Sequence, residues 1–293
     1  MIVDVHTHIE RDDAQLRHDR QELVKVRGLG PDLEQAVAHS ISLEDHWKDM
    51  ETVDKAVVFC TRHYPDSPRE RNDYVAEYVR AHPEKLIGFA SVSPWEKDPV
   101  DEIKRCVEEL GLRGLKMLPI YAELPPDDRK YYPIYKTAQD LRLPVLLHMG
   151  THFRASLPLK CGQPLTLDDV AMNFPELTVI LAHLAHPWVQ DAAVLIRKHP
   201  NLYADTSGLS KFRPYTSLYQ GLVYATDYEV LDKLLFGTDW PLITPAEEMQ
   251  LLKDINRYTD GTNLPRIPDE ALVSIMERNA QKALGLDDHE RSG

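Results

Sequence analysis

No run in this sequence approaches the ~20 consecutive apolar residues that a membrane-spanning helix requires. No block of lysine and arginine stands out either, and the formal charge is −13 over 293 residues, with a sequence pI of about 5.4. Both features argue against a phosphate backbone or an anionic lipid surface as partner, so neither nucleic acid nor membrane is expected. No basic region followed by an apolar stretch opens the chain, so no secretory signal is expected. Cysteine is scarce. Cys60, Cys106 and Cys161 are scattered, odd in number and form no CxxC pair, which fits reduced thiols and a cytoplasmic setting. A glycine-rich phosphate turn is missing after the early strands, which weighs against an open doubly wound sheet. Internal repeats, low-complexity segments and linkers are missing too. The 43% hydrophobic content is enough for one large α/β domain spanning 1–293.

What is present is alternation. Short apolar runs at 1–8, 55–60, 85–92, 114–118, 144–148, 177–183, 201–206 and 233–239 read as buried strands. Helical patterns separate them at 42–52, 72–82, 99–110, 133–141, 166–174 and 188–199. Ser42 and Thr166 look like N-caps, and Gly111 like a helix stop. Thr244-Pro245-Ala246-Glu247 combines a capping box with proline at the first helical position. A last helix is expected over 268–284 and a frayed tail over 287–293. The polar stretch 9–40 is too long for a tight connection and reads as an excursion over one end of the domain. Eight strand–helix units imply parallel pairing with right-handed crossovers, and at this length a single-domain (β/α)8 TIM barrel.

In such a barrel, chemistry collects at the C-terminal ends of the strands. The first strand ends in His6 and His8. Strict alternation puts both on one face together with Asp4, so two imidazoles sit side by side where a divalent metal can take both. His148 ends the fifth strand, His183 the sixth and Asp239 the eighth. A lone histidine at a strand end is ordinarily just a hydrogen-bonded polar residue. Four histidines and a carboxylate gathered on four strand ends point to a metal site.

These residues lie in motifs that resemble the amidohydrolase superfamily, in its amidohydrolase-related (amidohydrolase 2) branch, which includes aminocarboxymuconate-semialdehyde decarboxylase. The motifs are Asp4-Val5-His6-Thr7-His8, Gly114-Leu115-Lys116, Leu147-His148-Met149-Gly150, Leu181-Ala182-His183, Asn201 to Ser207, Phe236-Gly237-Thr238-Asp239-Trp240-Pro241 and Glu277-Arg278-Asn279-Ala280. The resemblance implies a metal-dependent enzyme with one divalent ion, usually zinc, with manganese or iron as alternatives. His6, His8 and His148 would be ligands, and Asp239 a ligand or a close neighbour that orients a water or shuttles its proton. His183 would hydrogen-bond that water or polarise a substrate oxygen. A small-molecule substrate follows, and relatives of this fold form dimers or larger homo-oligomers.

Other residues are weighed by position. Lys116 has either a metal-bridging role, as a carboxylated lysine, or a salt bridge to substrate or protein. His152 and Arg154 follow His148 and are placed to meet a substrate carboxylate, with Arg154 offering a bidentate fork. His63 and Tyr64 follow the second strand and are candidates for the pocket wall. Asp4 and Asp205 are expected behind the ligands, orienting them. His186 reads as a helix-start residue near the site. His18, His39, His46, His82, His199 and His289 read as surface or helix-end residues.

Two chemistries share these ligands. The main reading is a hydrolase, whose activated water attacks an ester, lactone or amide, because that is the commoner chemistry of the superfamily. The alternative is a non-oxidative decarboxylase (carboxy-lyase) of a small unsaturated or aromatic carboxylic acid. A non-catalytic scaffold is disfavoured by the complete ligand set.

Overall fold

Each apolar run pairs with the next in sequence, and every ladder is parallel, as strands joined by crossover helices must be. The strands are β1 (Val3–His8), β2 (Lys55–Phe59), β3 (Leu86–Gly88), β4 (Ala90–Ser91), β5 (Leu115–Met117), β6 (Val145–Leu147), β7 (Val179–Leu181), β8 (Leu202–Asp205) and β9 (Leu234–Leu235). The computed structural model describes residues 1–10, 42–61, 68–152, 156–210 and 216–286. His63, Tyr64, Arg154, the tail 287–293 and all but the first residues of the 9–40 excursion lie outside them.

The ladders form one sheet in the order β1-β2-β3 and another running β4 to β9. Phe89 interrupts the third predicted strand, but its amide still reaches Val58 O at 2.9 Å and the next amide reaches Gly114 O at 2.8 Å, so the two sheets adjoin. The other seam closes where Val5 N donates to Phe236 O and His8 N to Trp240 O. The result is the expected (β/α)8 barrel in one domain.

Two layers of core follow from the pleat. Ala56, Val58, Leu115, Met117, Val145, Leu147, Val179 and Leu181 face outward under the helices. Val57, Phe59, Ile87, Leu146, Ile180, Tyr203 and Leu235 face inward, joined by Ala280 and Ala283 of the last helix. Lys116, between Leu115 and Met117, therefore points into the barrel and is 1% exposed.

Strand β1 breaks this rule in one place. Its register against β2 skips a residue between Asp4 and Thr7. Val3 and Val5 pack in the inner layer, and the bulge then turns His6 inward as well. From there the phase is fixed: Thr7 and Ile9 face outward, while His6 and His8 face Phe59. The expectation that Asp4, His6 and His8 share a face is thus corrected, because a bulge inserts one residue and flips the alternation. Asp4 sits on the other side. Its carboxylate accepts from His6 N and Thr238 N, two amides at the bulge, and from Thr238 Oγ1 at 2.6 Å.

The helix ends match their caps in most places. Ser42 Oγ accepts from Asp45 N before the helix Leu43–Asp49, and Thr244 and Glu247 complete the capping box of Pro245–Lys253. Gly111 has φ +70°, which suits glycine after Pro99–Glu108. Thr166 does not cap Leu167–Asn173; its hydroxyl turns back to Gln163 O at 2.7 Å. The expected last helix breaks at Arg278 into Asp269–Glu277 and Asn279–Ala283, and at the break the Asn279 side chain donates its Nδ2 to Leu231 O and Leu234 O. No helix among the described residues is long and apolar enough to cross a membrane.

Candidate metal centre

His6 and His8 end β1, and both point their Nε2 atoms at one oxygen. Asp239 Oδ1 lies 3.2 Å from His6 Nε2 and 3.1 Å from His8 Nε2. These donor atoms are a group that could hold one metal ion. Asp239 reaches them from a strained position, φ +58°, with its amide donating to His6 O at 2.9 Å. Burial pushes the Asp239 carboxyl up, but His6 and His183, with the hydrogen bonds from His6 and His8, outweigh it and hold the group well below the usual carboxylate range. An ionised carboxylate beside two imidazoles is the donor chemistry that a divalent cation requires.

The candidate ligands are oriented from behind. Asp205, at the end of β8, accepts from His6 Nδ1 at 2.8 Å. Its other oxygen accepts from His183 N at 2.8 Å, Ser207 N at 3.1 Å and Ser207 Oγ at 2.5 Å. Burial raises Asp205, but His6 and these hydrogen bonds win and bring it down to about 2. An acceptor on Nδ1 leaves the His6 Nε2 lone pair for a cation. His8 has the same arrangement more loosely, with Nδ1 3.4 Å from Glu10 Oε1.

Asp4 and Asp205 both hydrogen-bond to His6, by different routes: Asp205 through the imidazole and Asp4 through the backbone. Burial raises the Asp4 carboxyl to about 7 against its hydrogen bonds. Lys116 Nζ lies 3.0 Å from His6 Nε2 and 4.8 Å from the Phe59 ring centre. Burial lowers the amine to about 8, against the pull of Asp239 and Asp205.

His183 follows β7 in a left-handed turn, with φ +60° at His183, +44° at Leu184 and +49° at Ala185. Three such residues in a row are costly and serve to aim the imidazole at the site. Its ring centre is 5.0 Å from that of His6, and its Nδ1 meets Ser207 Oγ at 2.9 Å. Gly208 makes room, since a Cβ there would come 3.1 Å from His183 Nδ1. His148 is beside rather than within the converging donors: its Nδ1 lies 3.2 Å from His183 Nε2, and its Nε2 lies 3.3 Å from Thr151 O. Burial, followed by His183, keeps His148 well below its ordinary value, and burial brings His183 to about 4, so both are neutral.

The amidohydrolase family model matches residues 3–286. The chain belongs to the amidohydrolase family. Gamma-resorcylate decarboxylase of Polaromonas sp. is 24% identical over 226 residues, a match covering 60% of this chain and 66% of that enzyme. The 2-amino-3-carboxymuconate-6-semialdehyde decarboxylase of Dictyostelium discoideum is 24% identical over 248 residues, covering 74% of this chain and 66% of that enzyme. The matched part is thus just under two thirds of each relative's length. Among solved structures, a dihydroxybenzoic acid decarboxylase from Polaromonas sp., with bound manganese and the inhibitor 2-nitroresorcinol, superposes with a TM-score of 0.69 at 18% identity, covering 98% of this chain and 97% of that one. At that identity the superposition speaks for the fold.

The other candidates sort by place. His152 is half-buried near His148, with ring centres 5.9 Å apart. His186 contributes its backbone, as its carbonyl accepts from Thr151 N at 2.8 Å. Two of the histidines read as surface or helix-end residues stand near helix ends but are buried: His46 in the last turn of Leu43–Asp49 and His199 at the C-cap of Val189–Lys198. His46 is fully buried between Tyr78 and Thr7, where burial lowers it to about 3. His199 is buried on Asp168 at 2.6 Å.

Glu10, Ser207, Tyr121 and Glu248 carried no role in the sequence reading. Glu10 and Ser207 had a signal, since each sits two residues beyond a candidate site residue at the end of a strand. Tyr121 and Glu248 had none, because their partners are far away in sequence.

Proposed function

We propose that the chain is a metal-dependent, non-oxidative decarboxylase of a small aromatic or unsaturated carboxylic acid. His6, His8 and Asp239 would hold one divalent ion, zinc or manganese, with His148 as a further ligand. The observation that carries this reading is the meeting of two imidazole Nε2 atoms on one Asp239 oxygen, in a chain whose relatives include gamma-resorcylate decarboxylase and 2-amino-3-carboxymuconate-6-semialdehyde decarboxylase. The hydrolase expected from the commoner chemistry of the superfamily gives way on that second ground. Proximity of metal ligands alone favours neither.

A divalent ion at this position supplies a Lewis acid for substrate oxygens and for the charge that develops as a carbon–carbon bond breaks. The protein does the rest. In a decarboxylation the bonding pair stays on the ring or alkene carbon, carbon dioxide leaves, and that carbon takes up one proton. Asp239 is ionised at rest, so any proton it hands to that carbon is first taken up from solvent. His183 is neutral and 15% exposure at Asp239 keeps this side of the cluster open to a substrate. The buried Lys116 ammonium offsets the negative charge of Asp205 and Asp239.

The test is product analysis with metal accounting. Purified protein should hold about one equivalent of divalent metal. Hydroxylated aromatic and unsaturated carboxylic acids should release carbon dioxide, and a chelator should stop the release. Hydrolysis of lactones or esters without carbon dioxide release from any acid would return the reading to a hydrolase.

A further inference from the structure

One atom of the cluster has two claimants. His6 Nε2 is the nitrogen offered to an ion, and Lys116 Nζ lies 3.0 Å from it. A histidine nitrogen on a divalent metal sits about 2.1 Å from the ion. An ammonium cannot keep its contact with Nε2 beside a dication there, because both need the same lone pair and they repel each other. Lys116 is 1% exposed, so the side chain has no route into water. Its other position has to lie inside the barrel.

Lys116 has one register partner on each side. Leu146 on β6 is apolar and fully buried. Ser91 on β4 is the other. Around Ser91 the strand alternates: Phe89 packs in the inner layer, Ala90 and Val92 in the outer one, so Ser91 faces inward with Lys116. Ser91 is 5% exposed, and its Oγ is buried without a hydrogen-bond partner. Three other buried side-chain oxygens among the described residues are in that condition, on Glu96, Tyr131 and Glu248, and none of them stands on a strand. Neighbouring strands lie about 4.8 Å apart, well within the swing of a lysine side chain.

The backbone under this hydroxyl is fixed. Ser91 N donates to Asn72 Oδ1 at 2.8 Å, Asn72 Nδ2 donates to Glu102 Oε1 at 2.9 Å, and Arg105 donates to the same oxygen at 2.8 Å. The hydroxyl is therefore stationary, and the lysine on its flexible four-carbon stem is the partner that can move. A buried hydroxyl with nothing to bond calls for an explanation, and a mobile donor beside it supplies one.

We propose that Ser91 Oγ receives Lys116 when an ion takes His6 Nε2. No covalent bond changes: Nζ leaves the imidazole and donates to the hydroxyl oxygen, and the imidazole gives its lone pair to the ion. Ser91 is thus a positioning residue that acts on the metal through Lys116. It keeps a buried positive charge hydrogen-bonded once the ion is in place, and so sets how tightly the ion is held. This role rests on the reading of His6 as a ligand and holds for hydrolysis and decarboxylation alike.

The experiment is a double-substitution cycle read by competition between protein and a chelating dye for manganese. Ser91→Ala should weaken manganese binding roughly ten-fold in the wild-type background. In the Lys116→Met background, where no ammonium needs a place, the same change should cost less than about two-fold. Equal weakening in both backgrounds would make Ser91 a packing residue only, and no weakening in either would detach it from the metal; both overturn the proposal. A crystal structure of the manganese-loaded wild type decides the matter even if Lys116→Met fails to fold. Lys116 Nζ should lie within about 3.2 Å of Ser91 Oγ. Nζ still on His6 Nε2, on the ion itself or on Asp239 would overturn the proposal and leave His6 a ligand. Manganese bound away from His6 would overturn the ligand reading as well.

Discussion

Replacing Asp205 by asparagine should cripple metal binding more than replacing it by alanine. Asp205 Oδ1 accepts three hydrogens, from His183 N, Ser207 N and Ser207 Oγ. An asparagine at this position must keep its carbonyl oxygen there, because the flipped amide would oppose two backbone N–H groups. Its NH2 then faces His6 Nδ1, which Asp205 meets at 2.8 Å. A donor at Nδ1 forces the proton onto Nε2, the atom that faces Asp239 and the ion. The tautomer becomes wrong for coordination while the packing is retained. Alanine removes the carboxylate but imposes no tautomer, and a water can take its place at Nδ1.

Loss of such an outer partner ordinarily lowers metal affinity 10–100-fold. Asp205→Ala should fall in about that range and Asp205→Asn at or beyond its far end. The assay is competition between each protein and a chelating dye for manganese and for zinc at fixed pH, with circular dichroism confirming the fold. Wild-type affinity in Asp205→Asn, or a weaker Asp205→Ala than Asp205→Asn, would refute the assignment of Nε2 as the coordinating atom of His6.

Three further outcomes follow. His6→Ala and Asp239→Ala should each abolish tight metal binding and all activity, read by metal analysis after dialysis and by turnover; retention of a full equivalent in either would remove that residue from the ligand set. Glu248 is fully buried, with one oxygen bonded to Ser210 and the other unpartnered, and burial raises it from 4.5 to about 8. Its contribution to stability is thus complete below pH 4.5 and lost as the pH rises through about 8, so wild type should weaken relative to Glu248→Gln across that window, by up to about 5 kcal/mol; parallel denaturation profiles from pH 5 to 9 would contradict this. Thr244→Ala breaks a complete capping box and should cost about 1 kcal/mol, or roughly 2–4 °C in Tm.

The barrel was readable because its determinants are local. Buried parallel strands read as short apolar runs, and those runs are where β2, β5, β6, β7 and β8 occur. Candidate ligands were readable for a related reason. A histidine or aspartate directly after such a run stands at the strand's C-terminal end whatever the neighbouring strands do, so His6, His8 and Asp239 could be paired before any contact was known. The split of the third strand at Phe89 was not readable, because it depends on how two sheet edges twist past each other, and nothing in residues 85–92 records that. His46 escaped for a similar reason. It lies among Glu44, Asp45 and Lys48, a polar context, yet Tyr78 and Thr7 satisfy both its nitrogens and make burial tolerable.

The bulge in β1 shows where alternation stops being a safe guide to a site. With strict alternation, Asp4 shares a face with His6, and Val3 and Val5 lie opposite. The structure has Val5 and His6 both inward, with Asp4 taking the His6 and Thr238 amides. A bulge leaves backbone groups without ladder partners, and a carboxylate two residues upstream is a local remedy for that cost. So an aspartate two residues before a candidate metal-binding histidine reports on backbone geometry at least as much as on a metal. After the bulge the period of two holds again, and it runs His6, His8, Glu10. Glu10 is the residue that meets His8 Nδ1. Read in phase from the ligands rather than from the chain start, the strand names the support of its second histidine. The support of the first comes from Asp205, 199 residues away, and only the closed barrel brings it there.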